Sequence, residues 1–276
     1  MRSSVITSTV ILIENVRKWA SHSRMSDPAA HAAAVADFPS EIGFLNGIVQ
    51  GILVHSDWLT AYGLEETEFD AVSRTTLPIA NLLDSIFKTD AQRVQIRRPP
   101  EKRAVGTCRD FALMLCSFLR VKGVPSRVRC GFAAYFGSNW EDHWVCEYWD
   151  EHARLWRLSD PQIDEMLKDR CHIDFDPTDV PRHAFATAGQ VWFDCRAGRS
   201  DPRRFGHGTV TGSWFIKINV VRDHYALNGR ETSAWDDWRP APASKRAVGE
   251  QETALLDDLA AHPEQQFVQV DPDFQP

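Results

Sequence analysis

The chain has too few basic residues to present a general nucleic-acid surface. Its 31 lysines and arginines face 38 aspartates and glutamates, for a formal net charge of −7. No apolar run is long enough to cross a bilayer, so no membrane partner is expected. No Cys-x-x-Cys occurs: Cys108, Cys116, Cys130, Cys146, Cys171 and Cys195 are spread widely, which excludes the zinc-ribbon and thioredoxin patterns. Reduced thiols fit that spread better than a disulfide framework. No His-Glu-x-x-His is present, and FGHGTVTG lacks the lysine and following helix of a phosphate loop, so it reads as a turn. His172, Asp174 and Asp176 would share one face of an extended CHIDFDPTD, but an Asp-Pro turn with solvated carboxylates is the simpler reading. No metal and no organic cofactor is therefore expected. The opening MRSSVITSTVILIENVRKWASHSR has a short apolar run without the small-residue ending of a cleaved signal peptide, which makes the cytoplasm the expected location.

What is present suits a packed enzyme-sized domain. With 276 residues, 43% hydrophobic and 25% charged, the chain can bury a full core. Residues 1–100 read as a helical section of that domain. SEIGFLNGIVQGILVHSDWLTAYG offers Ser40 as N-cap and an apolar stripe through Ile42, Leu45, Ile48, Val49, Ile52 and Leu53. LPIANLLDSIFK has Pro78 near a helix start and Ile79, Leu82, Leu83, Ile86 and Phe87 on one face. RVQIRRPPEKR, with Arg93, Arg97, Arg98, Lys102 and Arg103, reads as a solvated linker. Over 101–238 a buried helix gives way to short aromatic and β-branched segments read as strands, with SWFIKINVVRDH one more strand. Residues 239–276 read as a linker, a short helix in ETALLDDLAAH and a poorly ordered acidic tail. Helices followed by strands imply an α+β fold.

GTCRDFALMLCSFLRVKGVPSR puts a thiol where a helix begins. Gly106 permits a close approach, Thr107 can cap, and Cys108 falls in the first turn, where unpaired N–H groups favour a thiolate. Phe111 to Leu119 is apolar nearly all round, which marks a buried helix that Gly123 and Pro125 terminate. Cys116, deeper in that helix, reads as packing. Downstream, HWVCEYWDEHARLWRLSD reads as a hairpin. A loop symmetric about Glu151–His152 opposes Glu147 to Trp156, Val145 to Leu158 and His143 to Asp160. An imidazole beside a carboxylate is what a thiol nucleophile needs, as base and later acid, with the carboxylate fixing the ring.

GTCRDFA, GVPSRVRCG, DHWVCEYW and SDP together resemble the transglutaminase-like superfamily, a branch of the papain-like thiol enzymes. The resemblance implies a catalytic helix packed on an antiparallel sheet, with Cys108 as nucleophile, His143 as general base and Asp160 as the orienting carboxylate. It implies acyl transfer through a Cys108 thioester on a peptide, protein or small amide substrate. Hydrolysis is favoured over transfer to an amine, since nothing marks an amine channel and no EF-hand-like loop supports calcium control. A non-enzymatic scaffold of the same fold is the alternative from another class. For the oxyanion hole the Cys108 backbone N–H is one donor, and Trp140, His55 or Trp58 could supply a second. Trp144 and Trp149 are the tryptophans expected nearest the chemistry. NVVRDHYALNGRE and WDDW add a faint further resemblance to bacterial members.

Overall fold

The computed structural model describes residues 15–65, 78–89, 94–231 and 248–270. WDDW and the first part of the expected linker, 239–247, lie outside them. The helices are α1 (Ala32–Ala36), α2 (Ile42–Ile52), α3 (Ile79–Thr89), α4 (Cys108–Val121), α5 (Glu165–Cys171), α6 (Ala188–Arg196), α7 (Ser213–Ala226) and α8 (Glu250–Ala261). The strands are β1 (Leu53–His55), β2 (Ala104–Gly106), β3 (Ser126–Ala133), β4 (Trp140–Asp150), β5 (Leu155–Ser159), β6 (Phe185–Thr187), β7 (Phe205–His207) and β8 (Val210–Thr211). A six-stranded sheet runs β6-β3-β4-β7-β8, with β5 also on β4, and β1 and β2 form a separate parallel pair. Helices and a mainly antiparallel sheet make an α+β fold. Among the described residues no helix is long and apolar enough to cross a membrane.

The α4 helix is the centre of the largest core. The apolar stripes of α2 (Leu45, Ile48, Val49, Ile52) and α3 (Leu82, Leu83, Ile86) pack with Phe111, Leu115 and Phe118 of α4. Val128 and Cys130 of β3 and Trp144 and Cys146 of β4 close the same cluster, as directly opposed strand pairs. A second cluster joins α6, α7 and α8 around Phe132, Trp192, Phe215, Leu256 and Leu259. The expected helix in ETALLDDLAAH thus forms and packs as α8, and the tail expected to be poorly ordered packs through Phe267 and Val270, with residues 271–276 outside those described. Leu256 and Leu259 are buried, Trp192 donates to Asp257 at 2.7 Å, and Phe267 stacks on His224.

Three other expectations are corrected. SWFIKINVVRDH forms most of α7, not a strand. Its continuous apolar and β-branched run fits either element, and buried polar partners decide the matter. Asn219, Arg222 and Asp223, at helical spacing, reach Asp142, the Gly131 carbonyl and Arg129. The basic RVQIRRPPEKR is not simply a solvated linker. Arg98 and Arg103 are buried, donating to the carbonyls of Ile86 and Arg98, and Arg97 pairs with Asp164 at 2.9 Å. Helix α2 starts one residue later than expected, with Glu41 rather than Ser40 as N-cap, and ends at Ile52 so that Leu53–His55 can pair with β2.

The β4–β5 hairpin keeps the expected face but not the expected register. Asp150 pairs with Leu155 and Glu147 with Leu158, two residues along from the symmetric reading. Asp150 Oδ1 accepts from the N–H groups of His152 and Ala153, and Arg154 takes φ 53, so the loop spans residues 151–154 and is centred one residue beyond the expected Glu151–His152. A two-residue slip preserves side-chain facing where a one-residue slip would reverse it. Asp160, just past the end of β5, therefore lies diagonally across from His143 on the same face.

Candidate active site

Three local devices deliver the predicted groups. The Asp110 carboxylate accepts from the Thr107 N–H at 2.8 Å and from its hydroxyl at 3.1 Å, which fixes the start of α4 and hence Cys108. A Cβ at Gly106 would stand 3.1 Å from Asp110 Cβ, so the glycine allows that closure. The far end is set by Gly123 at φ 72, whose N–H bonds the Arg120 carbonyl. Strand β4 carries His143 opposite Gly131 of β3. Gly131 is required there, because a Cβ would fall 2.2 Å from the Ala186 carbonyl oxygen of β6.

His143 Nε2 lies 2.7 Å from Asp160 Oδ2, which leaves Nδ1 for the sulfur of Cys108, its neighbour in the lining of one cavity. Both His143 and Asp160 are buried. Burial works to lower the His143 pKa, but the Asp160 charge and hydrogen bond, with help from Cys108, outweigh it and raise the pKa to about 10. Asp160 is itself held by further donors. The Tyr135 hydroxyl donates to Oδ2 at 2.7 Å and the Gln162 N–H to Oδ1 at 3.0 Å. Burial, then the Asp160 charge and hydrogen bond, push the Tyr135 phenol well up, so it remains a donor. Tyr135 and Phe136 pack edge-on against the His143 ring, at 5.9 and 4.9 Å between centroids.

A cavity of about 150 Å³ opens on Cys108 and His143, and His55, Trp58 and Gln162 also line it. His55 is brought there by the parallel β1–β2 pairing, which sets it beside Gly106, two residues before Cys108. Its Nδ1 accepts the Asp57 backbone N–H at 3.1 Å, so the ring proton belongs on Nε2. Burial, opposed by the Asp57 charge, lowers the His55 pKa to about 4 and keeps the ring neutral at pH 7.

Trp140 and Trp144 do not line the cavity. Each is an odd number of residues from His143 along β4, so the pleat turns it to the opposite face. Trp144 is buried in the core with Arg222 over its ring, and Trp140 packs on Phe205. Trp149 pairs with Trp156 at the hairpin end.

Several residues at the site carry no signal in the sequence. Gln162 is 3% exposed and its Oε1 has no hydrogen-bond partner. Asp57 and Glu141 line the cavity with His207, which lies 3.7 Å from a carboxylate oxygen of each. Arg222, 1% exposed, pairs with Asp142 at 3.3 Å and donates to Asn219. Burial lowers the Arg222 pKa, but Asp142, Cys130 and Cys108 together raise it above its ordinary value, so a buried cation stands within electrostatic reach of the sulfur. All six cysteines are free thiols, and among the described residues no three His, Cys, Asp or Glu side chains converge to hold a metal ion.

The family model described as the transglutaminase-like superfamily matches residues 82–161, the stretch from α3 through Cys108 and His143 to Asp160. That segment is a transglutaminase-like core, as its four short motifs imply. No curated protein matches the chain. A solved structure from Cytophaga hutchinsonii, described as a "Putative Cysteine Protease", is similar at TM-score 0.39 and 12% identity over 63% of this chain. This chain spans 45% of that protein's length, and the likeness is too slight to build on.

Proposed function

We propose that the chain is a cysteine-dependent acyl-transfer enzyme acting on an amide or related acyl bond of a peptide, protein or small molecule. The observation that carries this reading is the buried His143 ring bonded to Asp160 and lining one cavity together with Cys108. Cys108 gives its proton to His143, and the sulfur forms a bond to the acyl carbon. The C–N bond then breaks as His143 protonates the leaving nitrogen. Water, deprotonated by His143, attacks the thioester, and the S–C bond breaks to release the acid and restore the thiol.

The tetrahedral oxyanion needs two donors. The Cys108 backbone N–H, in the first turn of α4, is free of intrahelical partners, and neutral His55 supplies the second through Nε2. Trp58 acts as a wall of the cavity. Gln162 Oε1 is placed to accept a substrate N–H. These steps call for no metal or organic cofactor. Hydrolysis remains the favoured outcome. Asp57 and Glu141, in the same cavity, favour transfer to a cationic amine as the second reading, since their charges would draw such an acceptor.

Competitive alkylation with iodoacetamide at pH 7, followed by peptide mapping of the six thiols, tests the reading. Cys108 is expected to react well ahead of the other five, although it is 7% exposed while Cys171 and Cys195 are more open. Equal, slow labelling of all six would favour a scaffold that keeps the fold without the chemistry.

A further inference from the structure

A second, larger hollow adjoins the catalytic cavity. It measures about 680 Å³ and shares Trp58 and Phe136 with the cavity around Cys108. Its apolar walls are aromatic: Trp58, Phe136, Tyr135 and Phe175, the last two packed at 5.3 Å. Two of these walls are the rings that pack on His143, so a ligand lying in the groove passes directly beside the catalytic imidazole.

The groove sets one arginine against one aspartate, whereas the cavity around Cys108 is lined by Asp57, Glu141 and Asp142. Arg170, at the end of α5, has its guanidinium 6.0 Å from the centre of the Trp58 ring. Among the described residues it is paired with no carboxylate, whereas Arg97 and Arg182 each pair with one and Arg127, Arg129 and Arg157 with two. His172, held at φ 56 as the cap of α5, and His183 bring further N–H groups to the groove. Among the described residues Asp174 is the one carboxylate in its lining. On the far side of Trp58, Asp57 and Glu141 make the catalytic cavity acidic and repel an anion. A substrate with one anionic group therefore has a preferred direction across the site.

Resting on the acyl-transfer reading above, we propose that this groove binds a substrate segment carrying an aromatic side chain next to a carboxylate. The ring lies on Trp58, Phe136 and Phe175, and the carboxylate pairs with Arg170. Arginine stacked on an indole keeps its in-plane N–H groups free for a carboxylate, which suits it to this role. The geometry thus assigns the enzyme acidic peptides or acidic aryl amides as its substrate class.

An isosteric peptide pair tests this: N-acetyl-Phe-Glu-amide and N-acetyl-Phe-Gln-amide, which differ in one charge. NMR titrations of the wild-type protein at low salt are expected to give a dissociation constant about 10-fold lower for the Glu peptide. Arg170→Gln is expected to erase that difference and Arg170→Lys to keep part of it. In wild-type protein 1 M salt is expected to shrink the preference, a readout that needs no variant to fold. Equal constants for the two peptides in wild-type protein, including no binding of either, would overturn the proposal. So would a preference that survives Arg170→Gln in folded protein. Alkylation of Cys108 in the same samples separates the two readings. If Cys108 outpaces the other thiols while the peptides bind alike, only the groove assignment falls; if Cys108 is unreactive, the acyl-transfer reading falls whatever the peptides do.

Discussion

Replacing His143 by glutamine is expected to slow iodoacetamide alkylation of Cys108 at pH 7 by about 100-fold, the lower end of what a positioned base contributes. Glutamine has roughly the reach of the imidazole and can hydrogen-bond Asp160, but it cannot hold a proton taken from sulfur. In the wild type the proton is held firmly: burial opposes the charged ring, yet Asp160 and Cys108 raise its pKa to about 10. The positive charge on the ring therefore persists throughout the neutral range. The other five thiols make no contact with His143 in this arrangement and are expected to keep their wild-type rates, which separates a lost base from a loosened fold. Second-order rate constants from peptide mapping provide the check. Wild-type reactivity of Cys108 in a folded His143→Gln protein would remove the imidazole from the mechanism.

Glu147→Ala is expected to cost about 3–5 kcal/mol of stability, the usual cost of removing one partner from a buried ion pair. Glu147 lies on β4 at 2% exposure, and its Oε2 accepts from Arg127 at 2.8 Å and Arg129 at 3.1 Å. Arg182 reaches Oε1 at 3.2 Å, and Arg129 continues the network to Asp223 of α7 at 2.8 Å. Alanine would take from Arg127 and Arg129 one of the two carboxylates that each pairs with, leaving Glu264 and Asp223, and Arg127, over the Trp156 ring at 4.2 Å, has little freedom to reach water. Burial tends to raise the Glu147 pKa, but Arg129, Arg127 and Arg182 lower it from 4.5 to about 2. A depressed carboxylate pKa gives stability that is fully present above pH 4.5 and is lost as pH falls through about 2. Urea denaturation should therefore show the full gap between wild type and Glu147→Ala at pH 7 and a narrowing gap below pH 4.5. A gap below about 1 kcal/mol at pH 7 would mean that the network is a surface feature in energetic terms.

The legible parts of the sequence were those where a local pattern has one structural outcome. Gly106 and Thr107 before Cys108 mark the opening of a helix, and Gly123 with Pro125 marks its close, so α4 was readable to within a residue; the Asp110 half of the cap went unread. Alternation along β4 and β5 placed His143 and Asp160 on one face despite the two-residue error in register, because facing depends on parity and survives an even slip. Long-range pairing was not legible. Nothing in LVH announces a strand, yet its parallel pairing with AVG is what brings His55 next to Cys108. The α7 run misled because apolar, β-branched residues buried on all sides have no readable period. Its polar residues held the information, since Asn219, Arg222 and Asp223 fall on one helical face, but their partners on β3 and β4 are 77 to 94 residues away. Trp140 and Trp144 were drawn toward the chemistry by nearness in sequence to His143, and parity on the strand turned both away.

The central claim is that Cys108, with His143 and Asp160, carries an acyl group. Mixing the protein with p-nitrophenyl acetate, quenching in acid and mapping the modified peptide by mass spectrometry tests it most directly. A burst of nitrophenolate equal to the enzyme concentration is expected, with an acetyl group on Cys108 that hydroxylamine removes, and neither is expected in Cys108→Ala. Acetylation confined to lysines or to other cysteines, with no burst, would contradict it.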